Sequence, residues 1–133
     1  SPVSPSNYGL SDSAPDTLLH TTLDGLNELG VGYLAMVEGS SNGMPATGDV
    51  DWADARRRFR GLYIANNGYD FDKAQRTLHA GLADLVSFGR LYIANPDLVH
   101  RFMRQAPLNA LDASTVYAAD ERGYTDYPAW TGS

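Results

Sequence analysis

The chain has 133 residues, enough for one domain or part of one and too few for two. With 43% hydrophobic and 20% charged residues, it has a globular composition and is too apolar for a disordered tail. Its net charge of −6 argues against nucleic acid or an anionic membrane surface as a partner. It has no cysteine, which excludes disulfides and thiolate metal sites, and no apolar run reaches the roughly 18 residues of a membrane helix. The first residues lack a signal-peptide pattern, so we expect a cytoplasmic protein.

A helix is the first predicted element, over about 15–29. Leucines recur there at three- and four-residue spacing, which is typical of a helix with one buried face. Asp12 or Ser13 is expected to cap this helix, with Pro15 in its first turn and Gly30 just after its end.

Three apolar runs of strand length follow, at 31–37, 61–65 and 83–88. None of them alternates between apolar and polar residues, which is typical of parallel strands covered on both faces. Helices are predicted over 51–59, from a cap at Asp70 to Gly81, and again from Asn95–Pro96. The order of elements indicates an α/β fold with parallel strands, followed by an irregular, aromatic tail over 105–133.

Ligands of such folds bind beyond the carboxyl ends of the strands. The informative residues are therefore those just after each predicted strand: Glu38–Gly39, Asn66–Asn67–Gly68 and Gly89–Arg90. The last two are interpreted as glycine-containing breaks. Glycine lets the backbone approach an anion, amides at a helix start donate to phosphate, and arginine adds a planar charged fork. These breaks therefore predict one shared phosphate site. The alternative, two plain turns with a surface arginine, stays open at this point.

No metal site is predicted, because the three histidines lie far apart without ligand spacing: His20, His79 and His100. The charged residues of the 51–59 segment are interpreted as a solvated helix face: Asp51, Asp54, Arg56, Arg57 and Arg58. Aromatic residues of the tail either attach it to the rest of the fold or line a ligand pocket: Tyr117, Tyr124, Tyr127 and Trp130.

The sequence resembles the old yellow enzyme family of FMN-dependent ene-reductases, particularly the bacterial N-ethylmaleimide and nitroester reductases. Four segments carry the resemblance: Gly-Val-Gly-Tyr-Leu at 30–34, Phe-Gly-Arg-Leu-Tyr-Ile-Ala-Asn-Pro-Asp-Leu at 88–98, Pro-Leu-Asn at 107–109 and Gly-Tyr-Thr-Asp-Tyr-Pro at 123–128. The resemblance implies a (β/α)8 TIM barrel that holds FMN and reduces activated alkenes (enones, maleimides and nitro compounds) with NAD(P)H. It implies that residues 1–133 are the C-terminal part of this flavin-binding domain, with strands six to eight.

The same resemblance assigns residues to the cofactor and the substrate. Asn67 and Gly68, with Gly89 and Arg90, would hold the FMN phosphate, which agrees with the site predicted from the strand ends. Tyr117 corresponds to an aromatic residue that lines the family's substrate pocket, although its neighbours here read Val116, Ala118 and Ala119 instead of the family's Phe, Gly and Gly. The family's proton-donating tyrosine and its carbonyl-binding pair have no counterpart in this chain, so we expect the chain alone to be inactive.

A (β/α)8 barrel needs about 250 residues, so three strands cannot close one. The barrel is expected to be completed by a complementary N-terminal chain, as in a split or circularly permuted enzyme, or by a second, swapped copy. The alternative is a freestanding, non-catalytic α/β module that binds FMN or phosphate. Edge strands without proline or lysine favour the completed barrel, because open apolar edges promote aggregation.

Overall fold

The computed structural model describes residues 12–39, 50–116 and 120–132. In chain order, it has helix α1 (Pro15–Glu28), strand β1 (Tyr33–Val37), helix α2 (Trp52–Arg58), strand β2 (Leu62–Asn66), helix α3 (Phe71–His79), strand β3 (Leu85–Val86), and helices α4 (Arg90–Ala94) and α5 (Leu98–Arg104). The chain divides into two compact units, the first ending at Ser87 and the second beginning at Phe88. None of the described helices combines the length and apolarity that crossing a bilayer requires.

The first unit contains a parallel sheet in the order β1-β2-β3, as the α/β alternation predicts. Tyr33 pairs with Leu62, and Ile64 pairs with Leu85. The third strand is shorter than the predicted 83–88, with only Leu85–Val86 in the ladder. Gly61, just before β2, has no space for a side chain, because a Cβ atom there would lie 2.6 Å from the carbonyl oxygen of Gly32.

One face of this sheet is buried and the other is open. Met36, Tyr63 and Ala65 lie on the buried face, which packs on the core formed with the unit's helices. The residues of the opposite face include three large apolar side chains that are 66%, 52% and 48% exposed: Tyr33, Leu62 and Leu85. The described residues contain only three of the eight strands that the resemblance implies, so the cover predicted for this second face stays a prediction. A run without alternation shows that both faces are apolar, but it does not supply a cover for each.

Helix starts and ends follow the predicted chemistry with two exceptions. The carboxylates of Asp51 and Asp70 accept the amides of Asp54 and Lys73, so each caps its helix. The N-cap of α1 is Ala14, which makes no side-chain cap. The predicted cap by Asp12 or Ser13 is thus wrong: the carboxylate of Asp12 accepts the amide of Ala14 at 2.7 Å and forms a turn ahead of the helix. The helix predicted from Asn95–Pro96 begins two residues later, at Leu98, with Asp97 as an N-cap whose side chain makes no capping bond.

The second unit begins with a helix that the sequence did not predict. Residues Leu91–Asn95 repeat the Leu-Tyr-Ile-Ala-Asn of β2, yet most of them belong to helix α4. The carbonyl of Gly89 accepts the amides of Tyr92 and Ile93, which closes the first helical turn. In β2, by contrast, the same five residues lie between two neighbouring strands, so tertiary context determines their conformation.

The described part of the tail has no helix or strand and is attached by buried polar side chains. The Asn95 side chain is fully buried and accepts the amide of Asn109 at 2.8 Å. Arg101, 3% exposed, forms an ion pair with Asp97 at 2.7 Å and donates to the carbonyls of Pro107 and Pro128. These bonds connect three of the segments that carry the family resemblance.

Candidate functional site

Glu38 lies at the carboxyl end of β1, where its carboxylate bonds to two tyrosines. Its two oxygens accept the hydroxyls of Tyr63 at 2.9 Å and Tyr69 at 2.8 Å. Both rings are buried, Tyr63 completely. Burial and the nearby carboxylate raise the pKa of Tyr63 above its usual value, and burial with the hydrogen bond to Glu38 raises the pKa of Tyr69 to about 12. Both tyrosines therefore act as neutral donors.

The predicted phosphate residues Asn67 and Gly68 form a turn directly after β2. Both have a positive φ, 115° and 62°, which a glycine adopts freely and an asparagine adopts with support from its side chain. That support comes from the Glu38 carbonyl, which accepts the Asn67 side-chain amide. The turn therefore places an exposed glycine, Gly68, at the end of β2, where an anion could approach closely.

At the same end of the sheet, side-chain contacts connect β2 to the residue that follows β3, and connect α3 to the turn. The side-chain amide of Asn66 donates to the Ser87 carbonyl at 3.0 Å and to its hydroxyl at 2.9 Å. The ammonium group of Lys73 lies 4.1 Å from the centre of the Tyr69 ring and 3.4 Å from the Asn67 carbonyl. Lys73 thus places a positive charge beside the turn.

The other two predicted phosphate residues, Gly89 and Arg90, lie in the second unit. Gly89 is the N-cap of α4, and Arg90 is its first residue. Both are exposed, and within the described part of the chain Arg90 forms no ion pair. The first amides of a helix have no partner within it, so backbone donors and a guanidinium occur together here.

The structure therefore links Asn67 and Gly68 to Glu38 and describes Gly89 with Arg90 as a separate helix start. Tyr117, predicted to line the substrate pocket, lies outside the described residues. The donors in both places, backbone amides with a lysine and an arginine, fit a dianionic phosphate. Among the described residues, no three histidine or acidic side chains come together as metal ligands do.

The charged face of α2, interpreted from the sequence as solvated, instead forms ion pairs with other elements. Arg56 bonds to Asp84 at 2.7 Å, with both side chains less than a third exposed. Arg58 pairs with Asp24 at 2.6 Å, and the His20 ring lies 2.9 Å from Asp54. The solvated interpretation is wrong for Arg56, which is 24% exposed and pairs with a carboxylate 28 positions away, beyond the reach of helical spacing. Asp51, Arg57 and Arg58 are exposed, as interpreted.

Comparisons with known proteins identify relatives of the chain in sequence and in fold. No protein-family model matches the sequence. A 12-oxophytodienoate reductase-like protein of Solanum lycopersicum is 39% identical over 121 residues, which are 90% of this chain and 33% of that protein. The old yellow enzyme from Trypanosoma cruzi matches 97% of this chain with 33% of its own, at 35% identity and a TM-score of 0.86. Morphinone reductase in complex with tetrahydroNAD matches 92% of this chain with 32% of its own, at 39% identity and a TM-score of 0.80.

The chain spans about a third of the length of these relatives. Their likeness implies the TIM-barrel fold, of which the described residues contain a three-stranded parallel part. The resemblance carried by the sequence motifs is thus confirmed by whole-chain identity and by the path of the backbone. In sequence and in fold, the chain belongs to the old yellow enzyme family.

Proposed function

We propose that this chain is part of an FMN-dependent NAD(P)H oxidoreductase that reduces activated carbon–carbon double bonds in enones, maleimides or nitro compounds. The observation that carries the proposal is the match of 97% of the chain to an old yellow enzyme at 35% identity. The nicotinamide reductant is supported by the relative whose structure holds tetrahydroNAD. Bound FMN would supply the redox chemistry, taking hydride from NAD(P)H and passing it to the alkene β-carbon.

The role proposed for this chain is to anchor the phosphate of the cofactor. We propose that backbone amides at the Asn67–Gly68 turn after β2 bind this phosphate, together with Gly89 and the guanidinium of Arg90 at the start of α4. Barrel enzymes commonly hold phosphate between the loops after their last two strands. On this proposal, β1, β2 and β3 are barrel strands six, seven and eight. Tyr117 is proposed to shape the substrate pocket.

Completion of the barrel by further strands is part of the proposal. Among the described residues, β1 and β3 each pair on one side only, and the open face carries Tyr33, Leu62 and Leu85. In a closed barrel, every strand pairs on both sides and apolar side chains fill the interior. We propose a complementary barrel segment as the partner, and a swapped second copy is the competing outcome.

The flavin reaction of the assembled protein tests the proposal. Under anaerobic conditions, NADPH or NADH should bleach the flavin, and N-ethylmaleimide or cyclohexenone should restore its colour. Cyclohexene, which lacks the activating carbonyl, should leave the flavin reduced. If the protein binds FMN and the flavin stays reduced with both activated alkenes, the proposal is wrong. A yellow, monomeric sample of this chain alone would instead support the non-catalytic module.

A further inference from the structure

The Glu38 contacts join two elements at the edge that carries the predicted phosphate turn. Its carboxylate accepts from Tyr63 on β2 and from Tyr69, just after the turn. Its carbonyl accepts the side-chain amide of Asn67, and its own amide donates to the Asn66 carbonyl at 3.0 Å. The residue that follows β1 thus contacts both sides of the Asn67–Gly68 turn.

The turn depends on such support. Two consecutive residues with a positive φ are uncommon, and an asparagine at 115° lies outside the comfortable left-handed region. Such a conformation persists only where surrounding groups hold it. Tyr69 leads from this turn to the Asp70 cap of α3, so fixing its ring also fixes where the turn ends.

The carboxylate is held firmly by its own partners. Each oxygen receives one tyrosine hydroxyl, and the Tyr63 ring is fully buried. Lys73 packs over the other ring, at 4.1 Å from its centre. A side chain bonded through both oxygens to buried donors has few alternative rotamers, so it can act as a fixed support for the loop.

We propose that Glu38 is a positioning residue that fixes the Asn67–Gly68 turn so that its backbone faces the cofactor phosphate. This rests on the proposed function, because it takes that phosphate as the ligand of the turn. Glu38 itself does not contact the ligand in this scheme. Its carboxylate acts through Tyr69, while its main-chain carbonyl holds the Asn67 side-chain amide. Loss of the carboxylate should therefore weaken recognition of the phosphate specifically.

The test compares FMN with riboflavin, which lacks the phosphate, in equilibrium titrations of the assembled protein. Glu38→Gln keeps the size of the side chain but replaces one carboxylate oxygen with an amide NH2 group, so one tyrosine hydroxyl loses its acceptor. We expect FMN binding to weaken about tenfold or more while riboflavin binding changes less than about twofold. Glu28→Gln makes the same chemical change on the exposed end of α1 and should alter neither constant.

Further outcomes separate this inference from the proposed function. If Glu38→Gln retains the full preference for FMN over riboflavin, the inference is overturned. If the unsubstituted protein shows no such preference, the proposed phosphate site fails instead. Tyr69→Phe removes one hydroxyl only and covers the case in which Glu38→Gln does not fold. Without ligand, both variants should shift the amide resonances of residues 67–69, and unchanged resonances would contradict the positioning role.

Discussion

The carboxylate of Asp84 bonds to the Arg56 guanidinium at 2.7 Å and to the backbone amide of Tyr63 at 2.7 Å. The pair connects α2 to the segment before β3 and to the start of β2. Arg56 also donates to the Phe59 carbonyl, so the guanidinium fixes the end of its own helix. These contacts lie at the amino ends of the strands, away from the edge with Glu38, and their role is therefore stability.

Asp84→Asn should lower the free energy of unfolding by about 1.5–3 kcal/mol, because it removes a charge-assisted bond from a largely buried arginine. The Tyr63 amide and the Arg56 guanidinium lower the pKa of Asp84. Its stabilising effect is present above the unfolded pKa of about 3.9 and is lost as the pH falls through the folded value. Denaturant unfolding of both proteins should therefore differ at neutral pH and converge in acid. The exposed Asp72→Asn is the control, and an equal loss there would refute the assignment.

Arg101→Ala should release the tail. The side chain is 3% exposed and bonds to Asp97, Pro107 and Pro128, so its removal leaves a carboxylate and two carbonyls with fewer partners. We expect limited proteolysis to cut within 105–132 much earlier than in the unsubstituted protein. The Arg104→Ala variant, changed on the exposed side of the same helix, should be cut at the rate of the unsubstituted protein. Equal rates for both variants would contradict the attachment by Arg101.

Tyr69→Phe should remove one group that titrates near pH 12. Burial, with the bond to Glu38, raises the pKa of Tyr69 to about 12, against about 10 in an unfolded chain. Because the folded value is higher, its stabilising effect is present below pH 10 and is lost as the pH rises toward 12. Tyrosinate absorbance during an alkaline titration measures this. Tyr124→Phe, at an exposed position, should leave the step near pH 12 unchanged. If Tyr69→Phe instead removes a titration step near pH 10, the raised pKa of Tyr69 is contradicted.

Arg90→Ala should weaken FMN binding by about tenfold to a hundredfold, since each charge-assisted bond to phosphate contributes about 1.5–3 kcal/mol. Arg90→Lys restores the charge without the planar fork, so partial recovery is expected. Arg122→Ala, another exposed arginine, is the matched control. An unchanged FMN dissociation constant for Arg90→Ala would show that Arg90 is a surface charge that does not bind the phosphate.

Elements determined by local chemistry could be predicted from the sequence, as α1, the parallel strands and the Asp70 cap show. Elements determined by distant neighbours could not. The five residues Leu-Tyr-Ile-Ala-Asn form β2 in one place and most of α4 in another, because only the first copy lies between strands. Arg56 appeared solvated because Asp84 is far away in sequence.

The candidate site shows the same division. Glycine-containing breaks after apolar runs identified Asn67–Gly68 and Gly89–Arg90 as positions for an anion, and that assignment stays a prediction. The Glu38 contacts with Tyr63 and Tyr69 were not predicted, since they depend on the register that pairs Val37 with Asn66. A glutamate directly after an apolar strand was the available signal, but its partners follow only from strand order.

We propose that the three strands belong to a barrel that other strands complete. Size-exclusion chromatography with light scattering, applied to this chain alone and then with its proposed complement, tests it most directly. We predict that the chain alone forms oligomers or aggregates heavier than its 14.4 kDa monomer, because two apolar strand edges and one apolar sheet face are exposed. Addition of the complement should convert these oligomers to a complex of defined mass. A 14.4 kDa monomer that unfolds cooperatively would contradict the account.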